Sequence, residues 1–383
     1  MIKLLIGGSP CTFWSIAQSN NRETEAEGLG WELFKNYVIA KEKFKPDFFL
    51  YENNKSAAQA IKDQIRRELG VELMYINSAL VSAQNRQRFY AFNWEVDQPE
   101  DRGVLLRDIL ESGENLTGNK KSYALTTRCS GAIPKDTIER RRHTMVAEPI
   151  AVGKTLEIAI PQIVDKYGYL PEMFNAYNRA EITDKAPTLS TGSMVTSSCA
   201  VNRFENIRCY AVPCEWDESG KPTKAVSGAD GKTYTVYEVK DGLITIKGKQ
   251  YPIKLADGFY IIRALTPVEC ERLQTMPDGY TKAVSNAQRY KGLGNGWTAE
   301  VIVHILSGAL ASVPRDEEIV VLSLYDGIGT GRYCLDKMGF TNVKYYAYEI
   351  DKFAMQIALS NYPDIIQKGD AFQLRNPDWT IGY

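Results

Sequence analysis

Apolar residues recur along this chain in two rhythms. From residue 1 to 92, short apolar runs alternate with stretches of helical spacing. Residues 2–6 and 47–51 have the pattern of buried strands, and 71–76 and 88–92 add two more. Residues 31–43 and 55–69 carry helical spacing, the second ended by Gly70. Between 93 and 260 the rhythm shifts to short strands and turn pairs such as Asp230-Gly231, Asp241-Gly242 and Lys247-Gly248. Residues 233–239, 243–247 and 251–255 are predicted strands joined by tight turns. Helical spacing returns at 267–273 and 298–310, and the charged stretch 311–318, with Pro314, reads as a linker. A strand at 319–325, a loop, a helix at 332–338 capped by Gly339, a strand at 342–348 and a helix at 351–361 then form a βαβ unit.

The prediction is an α/β fold in three stretches: 1–94, a smaller β-containing domain at 95–260, and 261–383 with the βαβ unit at 319–375. A length of 383 residues suits two domains. No apolar run approaches the ~18 residues of a membrane helix, and the opening Met1-Ile2-Lys3-Leu4-Leu5-Ile6 is too short for a signal peptide. Seven Cys without a CxxC pair, and two His, speak against a disulfide framework and against a metal site. A reducing cytoplasm is the expected compartment. The net charge of −1 requires any nucleic-acid surface to be local. Residues 120–142 are the most basic stretch and include Arg140, Arg141 and Arg142; a solvated helix face and a phosphate contact both fit.

Candidate chemistry gathers at strand ends. Tyr325-Asp326-Gly327-Ile328-Gly329-Thr330-Gly331 joins a strand to a helix, so its backbone can approach a ligand at the helix N-terminus. Glu349 ends the next strand, where an acid can accept a ribose hydroxyl, and Asp370 follows the strand after that. The loop is shorter than a dinucleotide fingerprint and lacks the lysine of an ATP-binding loop, which points to a nucleoside without a polyphosphate. The first strand runs into Gly7-Gly8-Ser9-Pro10-Cys11, placing a thiol at the ligand-binding edge of an α/β sheet. Glu52 ends the second strand, and Arg86 and Arg88, two residues apart, share one strand face. Taken singly, each has an ordinary reading: a buried thiol, a helix cap, surface arginines.

Taken together, these residues resemble the cytosine-C5 DNA methyltransferases. The matching motifs are Gly8-Ser9-Pro10-Cys11, Glu52-Asn53, Gln84-x-Arg86-x-Arg88, Arg263-x-Leu265-Thr266-Pro267-x-Glu269-Cys270-x-Arg272-Leu273-Gln274, Gly294-Asn295-Gly296, Asp326-Gly327-x-Gly329, Glu349 and Gly369-Asp370. They cover about 1–92 and 261–375. Their order departs from most of the family, where the glycine loop comes first, and resembles a circular permutation joined through 311–318. That predicts Met1 and the residues near Tyr383 close together at the sheet. Thr12, Ser82-Ala83 and Tyr325-Asp326 depart in detail without removing a group that the chemistry needs.

The resemblance implies a Rossmann-like catalytic domain, a target-recognition domain in the middle, and S-adenosylmethionine as methyl donor with S-adenosylhomocysteine as product. It implies that the Cys11 thiolate adds to carbon 6 of a flipped-out cytosine. Glu52 would hold and protonate the N3 edge, Arg88 would bind O2, and Arg86 would position Glu52 or a phosphate. The cofactor would meet Pro10, Asp326, Gly327, Ile328, Gly329, Thr330, Glu349, Ile350, Asp370, Asn295 and Trp297. DNA would meet Ser15, Ile16, Ala17 and Gln18 after the nucleophile, and Gln84, Arg140, Arg141, Thr188, Leu189 and Arg263. The implied partner is double-stranded DNA, with the enzyme a bacterial or phage-encoded monomer, free of membranes and either solitary or paired with a restriction endonuclease. The alternatives are a tRNA cytosine-C5 methyltransferase and a catalytically inactive DNA-binding relative.

Overall fold

The computed structural model describes residues 1–15, 22–150 and 221–382, with short pieces at 162, 165–168, 173–175, 180–181, 194–196, 200–204, 208–212 and 214–216. The chain divides into two compact units. The first is Met1–Ile109 with Lys121–Ser130 and Pro267–Tyr383, and the second is Leu110–Lys120 with Gly131–Thr266.

The first unit is built on a seven-stranded sheet. Its strands are β1 (Ile2–Gly7), β2 (Phe48–Asn54), β3 (Leu73–Asn77), β4 (Gln87–Phe92), β5 (Ile319–Leu324), β6 (Val343–Tyr348) and β7 (Ile366–Gln367). Its helices are α1 (Gly28–Phe44), α2 (Gln59–Leu69), α3 (Pro267–Leu273), α4 (Asn286–Asn295), α5 (Ala299–Leu310), α6 (Thr330–Lys337) and α7 (Lys352–Asn361). The strand order is β7-β6-β5-β1-β2-β4-β3. Pairing is parallel from β7 to β2, and β4 runs antiparallel to both its neighbours.

All six residues of β5 are buried, which explains its unbroken apolar pattern: a parallel strand covered on both faces cannot alternate. Leu5, Phe49, Tyr51, Leu322 and Tyr346 share one core with Trp31, Phe34 and Tyr37 of α1 and Ile61 and Ile65 of α2. Elsewhere, α6 lies so close to the sheet that a Cβ on Gly331 would sit 2.3 Å from the Ile6 side chain and 2.5 Å from the Tyr345 hydroxyl. From β1 the chain crosses through α1 to β2. From β5 it crosses through α6 to β6 in the opposite direction. The switch falls between β1 and β5, where an open α/β sheet leaves a crevice at its carboxyl ends.

Residues 95–109 and 121–130 belong to the first unit. Lys121 Nζ holds the carbonyls of Ala79, Ser82 and Val104 at 2.7, 3.1 and 2.5 Å, so this member of the basic stretch is spent internally. The Met1 ammonium pairs with Glu317, just before β5. Near the other terminus the Trp379 indole donates to the Tyr348 hydroxyl at 2.6 Å, and the Tyr346 hydroxyl to the Gly382 carbonyl at 3.3 Å. Tyr383 lies outside the described residues.

The second unit centres on an antiparallel sheet that includes Pro222–Val226, Thr233–Lys240, Gly258–Ala264 and Met145–Ile150 in that order. Asp241-Gly242 and Lys247-Gly248 are two-residue turns with all four φ values between 51° and 76°, the left-handed pairs that suit a twisted hairpin. Because the second turn ends at Gly248, the following strand is Lys249–Pro252 rather than 251–255. Gly258–Ala264 is an interior strand that the apolar pattern did not mark.

Candidate active site

The crevice holds a cleft of 480 Å³ lined entirely by first-unit residues. Its floor begins where β1 runs into Gly8, Ser9 and Pro10. A Cβ on Gly8 would lie 2.6 Å from the Glu52 carbonyl, so only glycine lets these two strand ends approach. Asn53 Nδ2 donates to the Ser9 carbonyl at 2.9 Å and to the Tyr51 hydroxyl at 3.0 Å, and the Tyr51 hydroxyl meets Ser9 Oγ at 2.7 Å. All three residues are buried, so the loop before Cys11 is bracketed by β2. Cys11 opens a short 3₁₀ turn, Cys11–Phe13; its side chain lies outside the described structure.

Glu52 projects from the adjoining strand end. One carboxylate oxygen pairs with Arg88 Nε at 2.9 Å, and both side chains are only 12% exposed. The other oxygen accepts from the Trp297 indole at 3.0 Å. Trp297 therefore connects to the acid, in addition to lining the cleft with Asn295. Arg86 turns elsewhere. Its guanidinium is buried and donates to the carbonyls of Leu125, Gly294 and Gly296 at 3.2, 3.3 and 2.9 Å, fixing the turn that carries Asn295 and Trp297.

The glycine loop forms the opposite wall. Tyr325, Gly327 and Gly329 are all left-handed, with φ of 58°, 62° and 78°. The Glu349 carboxylate accepts the Gly327, Ile350 and Asp351 amides, each at 2.8 Å, and so ties the loop to the end of β6. Asp326 Oδ1 accepts from Ser323 and Tyr345 at 2.7 and 2.6 Å, while Oδ2 is buried without a hydrogen-bond partner. Burial outweighs those two bonds and, with Glu349 nearby, pushes the carboxyl up to about 6. Ile350 is 72% exposed at the rim. Asp370, also exposed, caps the turn after β7 through the Phe372 amide at 2.9 Å. Thr330 and Ile328 line the cleft but are themselves almost wholly buried.

Two expected DNA contacts are corrected. Gln84 is fully buried; its amide donates to Leu273 and Gln274 and accepts from the Leu125 amide, leaving no face for a ligand. Arg263 is also fully buried, in the second unit, where it pairs with Glu148 and donates to Ser112. A one-residue change of strand face separates a surface arginine from a core one, and the sequence alone did not register this strand. Arg140 and Arg141 are exposed at the end of the helix Pro134–Arg140, with Arg140 near Asp136 at 3.5 Å. Ser15 is partly buried. Ile16, Ala17, Gln18, Thr188 and Leu189 lie outside the described residues. Sequence reasoning missed α4, whose Gln288, Lys291, Gly292 and Asn295 line the cleft at helical spacing. The available signal was the apolar pair Tyr290 and Leu293, three residues apart and both buried.

The fold is an open α/β sheet with a cleft at its switch point. Residues 1–309 match the family model for the C-5 cytosine-specific DNA methylase. The chain is 23% identical over 372 residues to the orphan methyltransferase M.SPRI of Bacillus phage SPR, covering 79% of this chain and 81% of that protein. It is 24% identical over 317 residues to M.SPBetaI of Bacillus phage SPbeta, covering 72% and 68%. With the type II methyltransferase M.Sau3AI of Staphylococcus aureus it shares 21% identity over 323 residues, covering 79% and 76%. A solved DNMT2 mutant from Spodoptera frugiperda overlaps 79% of this chain and 78% of its own at 12% identity, with a TM-score of 0.35, too low to bear on the fold. The chain belongs to the C-5 cytosine-specific DNA methylase family, and that membership makes it a methyltransferase. Among the described residues, no helix is long and apolar enough to cross a membrane.

Proposed function

We propose that the protein is a DNA (cytosine-5)-methyltransferase that uses S-adenosylmethionine and a covalent Cys11 adduct. The observation that carries this reading is a single cleft shared by the strand ends bearing Cys11, Glu52 and Arg88 and by the glycine loop with Glu349.

The residues present fit the cofactor. Gly327 has open space where a Cβ would stand, Glu349 is fixed at the loop, and Ile350 offers apolar surface at the rim for a flat ring. Asn295 and Trp297 face the loop across the cleft, with Asp370 at its edge. When bound, S-adenosylmethionine supplies the methyl group that carbon 5 of cytosine accepts. The chain's own residues prepare that carbon. Cys11 adds its sulfur to carbon 6, and Glu52, held by Arg88 and Trp297, delivers a proton to N3 so that the ring can carry the adduct. Loss of the carbon-5 proton then expels Cys11. Arg88, already engaged with Glu52, would meet O2. Arg86 acts indirectly, by holding the Gly294–Gly296 backbone.

The base must leave the duplex to reach this cleft. Recognition of a specific sequence falls to the second unit, and the exposed Arg140, Arg141 and Arg142 supply phosphate contacts. A permuted element order is supported by the family match ending at 309, ahead of the βαβ unit, and by β1 lying beside β5 at the switch point. Cys11→Ala is expected to abolish methyl transfer to DNA and leave cofactor binding intact, measured by radiolabel transfer and calorimetry. Wild-type transfer by the variant would overturn the reading.

A further inference from the structure

We propose that Glu23 is a positioning residue for the nucleophile: it clamps the turn carrying Cys11 onto the start of α1. The inference rests on the role of Cys11 proposed above. Three bonds converge on this one residue. Glu23 Oε2 accepts from the Trp14 indole at 3.0 Å, Oε1 accepts from the Gly30 amide at 3.0 Å, and the Glu23 amide donates to the Phe13 carbonyl at 2.9 Å. Arg22 extends the clamp, donating to the Trp14 carbonyl at 3.3 Å and to the Ser56 carbonyl, beyond β2, at 2.6 Å. The backbone just after Cys11 is thereby tied both to α1 and to the loop that follows Glu52.

The fit leaves little slack. A Cβ on Gly28 would lie 2.5 Å from Glu23 Oε1; one on Gly30 would lie 2.5 Å from Oε2 and 2.6 Å from the Trp14 indole nitrogen. Trp14 itself is fully buried. The carboxylate also sits at the amino end of α1, where the helix dipole favours a negative charge. None of these groups has a part in the chemistry assigned to Cys11, Glu52 and Arg88. A nucleophile misplaced by about 1 Å loses about a hundredfold in rate, so a clamp one turn away can govern the chemical step.

The test uses a long duplex synthesised with 5-fluoro-dCTP in place of dCTP, so that every sequence context is present. After methyl transfer, the fluorine on carbon 5 cannot leave as the proton does, and the Cys11–carbon 6 bond persists. In the presence of S-adenosylmethionine, Glu23→Ala is expected to slow formation of the covalent complex about tenfold to a hundredfold, with the cofactor dissociation constant unchanged. Glu23→Gln, which keeps an acceptor for only one of the two donors, falls between. Trp14→Phe slows trapping in the wild-type background and has no further effect in Glu23→Ala, because the bond it removes is already gone. Trapping by Glu23→Ala at the wild-type rate would overturn the inference, as would a parallel loss of trapping and cofactor binding in Glu23→Gln. A wild-type protein that forms no covalent complex would overturn both the inference and the function it rests on.

Discussion

At the scale of single residues, the cleft is organised by what each polar group already holds. Glu52 has both oxygens engaged, by Arg88 and Trp297, and Glu349 holds three amides. Asp326 differs: one oxygen is satisfied and the other is buried without a partner. Its carboxyl stands at about 6 in the fold against an ordinary 3.8, chiefly through burial. The sign follows. The folded state holds this proton more tightly than the unfolded chain, so its contribution to stability is greatest below about pH 4. That contribution falls as pH rises toward 6, by at most about 3 kcal/mol. Asp326→Asn imitates the protonated form. It is expected to flatten the ligand-free protein's stability between pH 4 and 6 and to raise its melting temperature at pH 7. An unchanged pH profile would contradict this account. The strand-end placement of Glu52 and Glu349 was legible in the sequence because a strand followed by a turn fixes where its last side chain stands. The partners of Arg86 and Gln84 were not, because spacing gives a face and not what packs against it.

At the scale of elements, the apolar rhythm located the strands and helices of the first 92 residues, with ends moved by local turns. The helix expected from 55 starts at Gln59, because the Asn54 side chain and carbonyl first hold Ser56 and Ala57 in a turn. Helix α4 went unread because Gly292, Gly294 and Gly296 look like loop chemistry. In the fold, Gly292 lets Ile328 approach, and Gly294 leaves room for the 126–127 backbone, which lies 2.5 Å from where a Cβ would stand. The same close packing makes Gly331 a test of how α6 is seated. Gly331→Ala must displace Ile6 or Tyr345 and is expected to cost about 1–3 kcal/mol in denaturant unfolding. Gly131→Ala, with nothing within 4 Å, serves as the neutral control. Equal stability of the two variants would contradict the packing.

At the scale of the whole molecule, the chain brings its two ends to one sheet. Cys11 and the glycine loop are more than 300 residues apart, yet they follow neighbouring parallel strands, β1 and β5. No periodicity announces that adjacency; it became readable only through the family's motifs, met here in an unusual order. The second unit was legible as a β-rich domain from its turn pairs, while its central strand and the buried Arg263 were hidden by a motif that runs straight on into α3. The central claim, that this fold methylates carbon 5 of cytosine in DNA through Cys11, is tested most directly by mass spectrometry of nucleosides. DNA and tRNA would be taken from bacteria expressing the wild type or Cys11→Ala. The account predicts 5-methylcytosine above background in DNA with the wild type alone. A signal confined to tRNA, or no new modified cytosine in either nucleic acid, would contradict it.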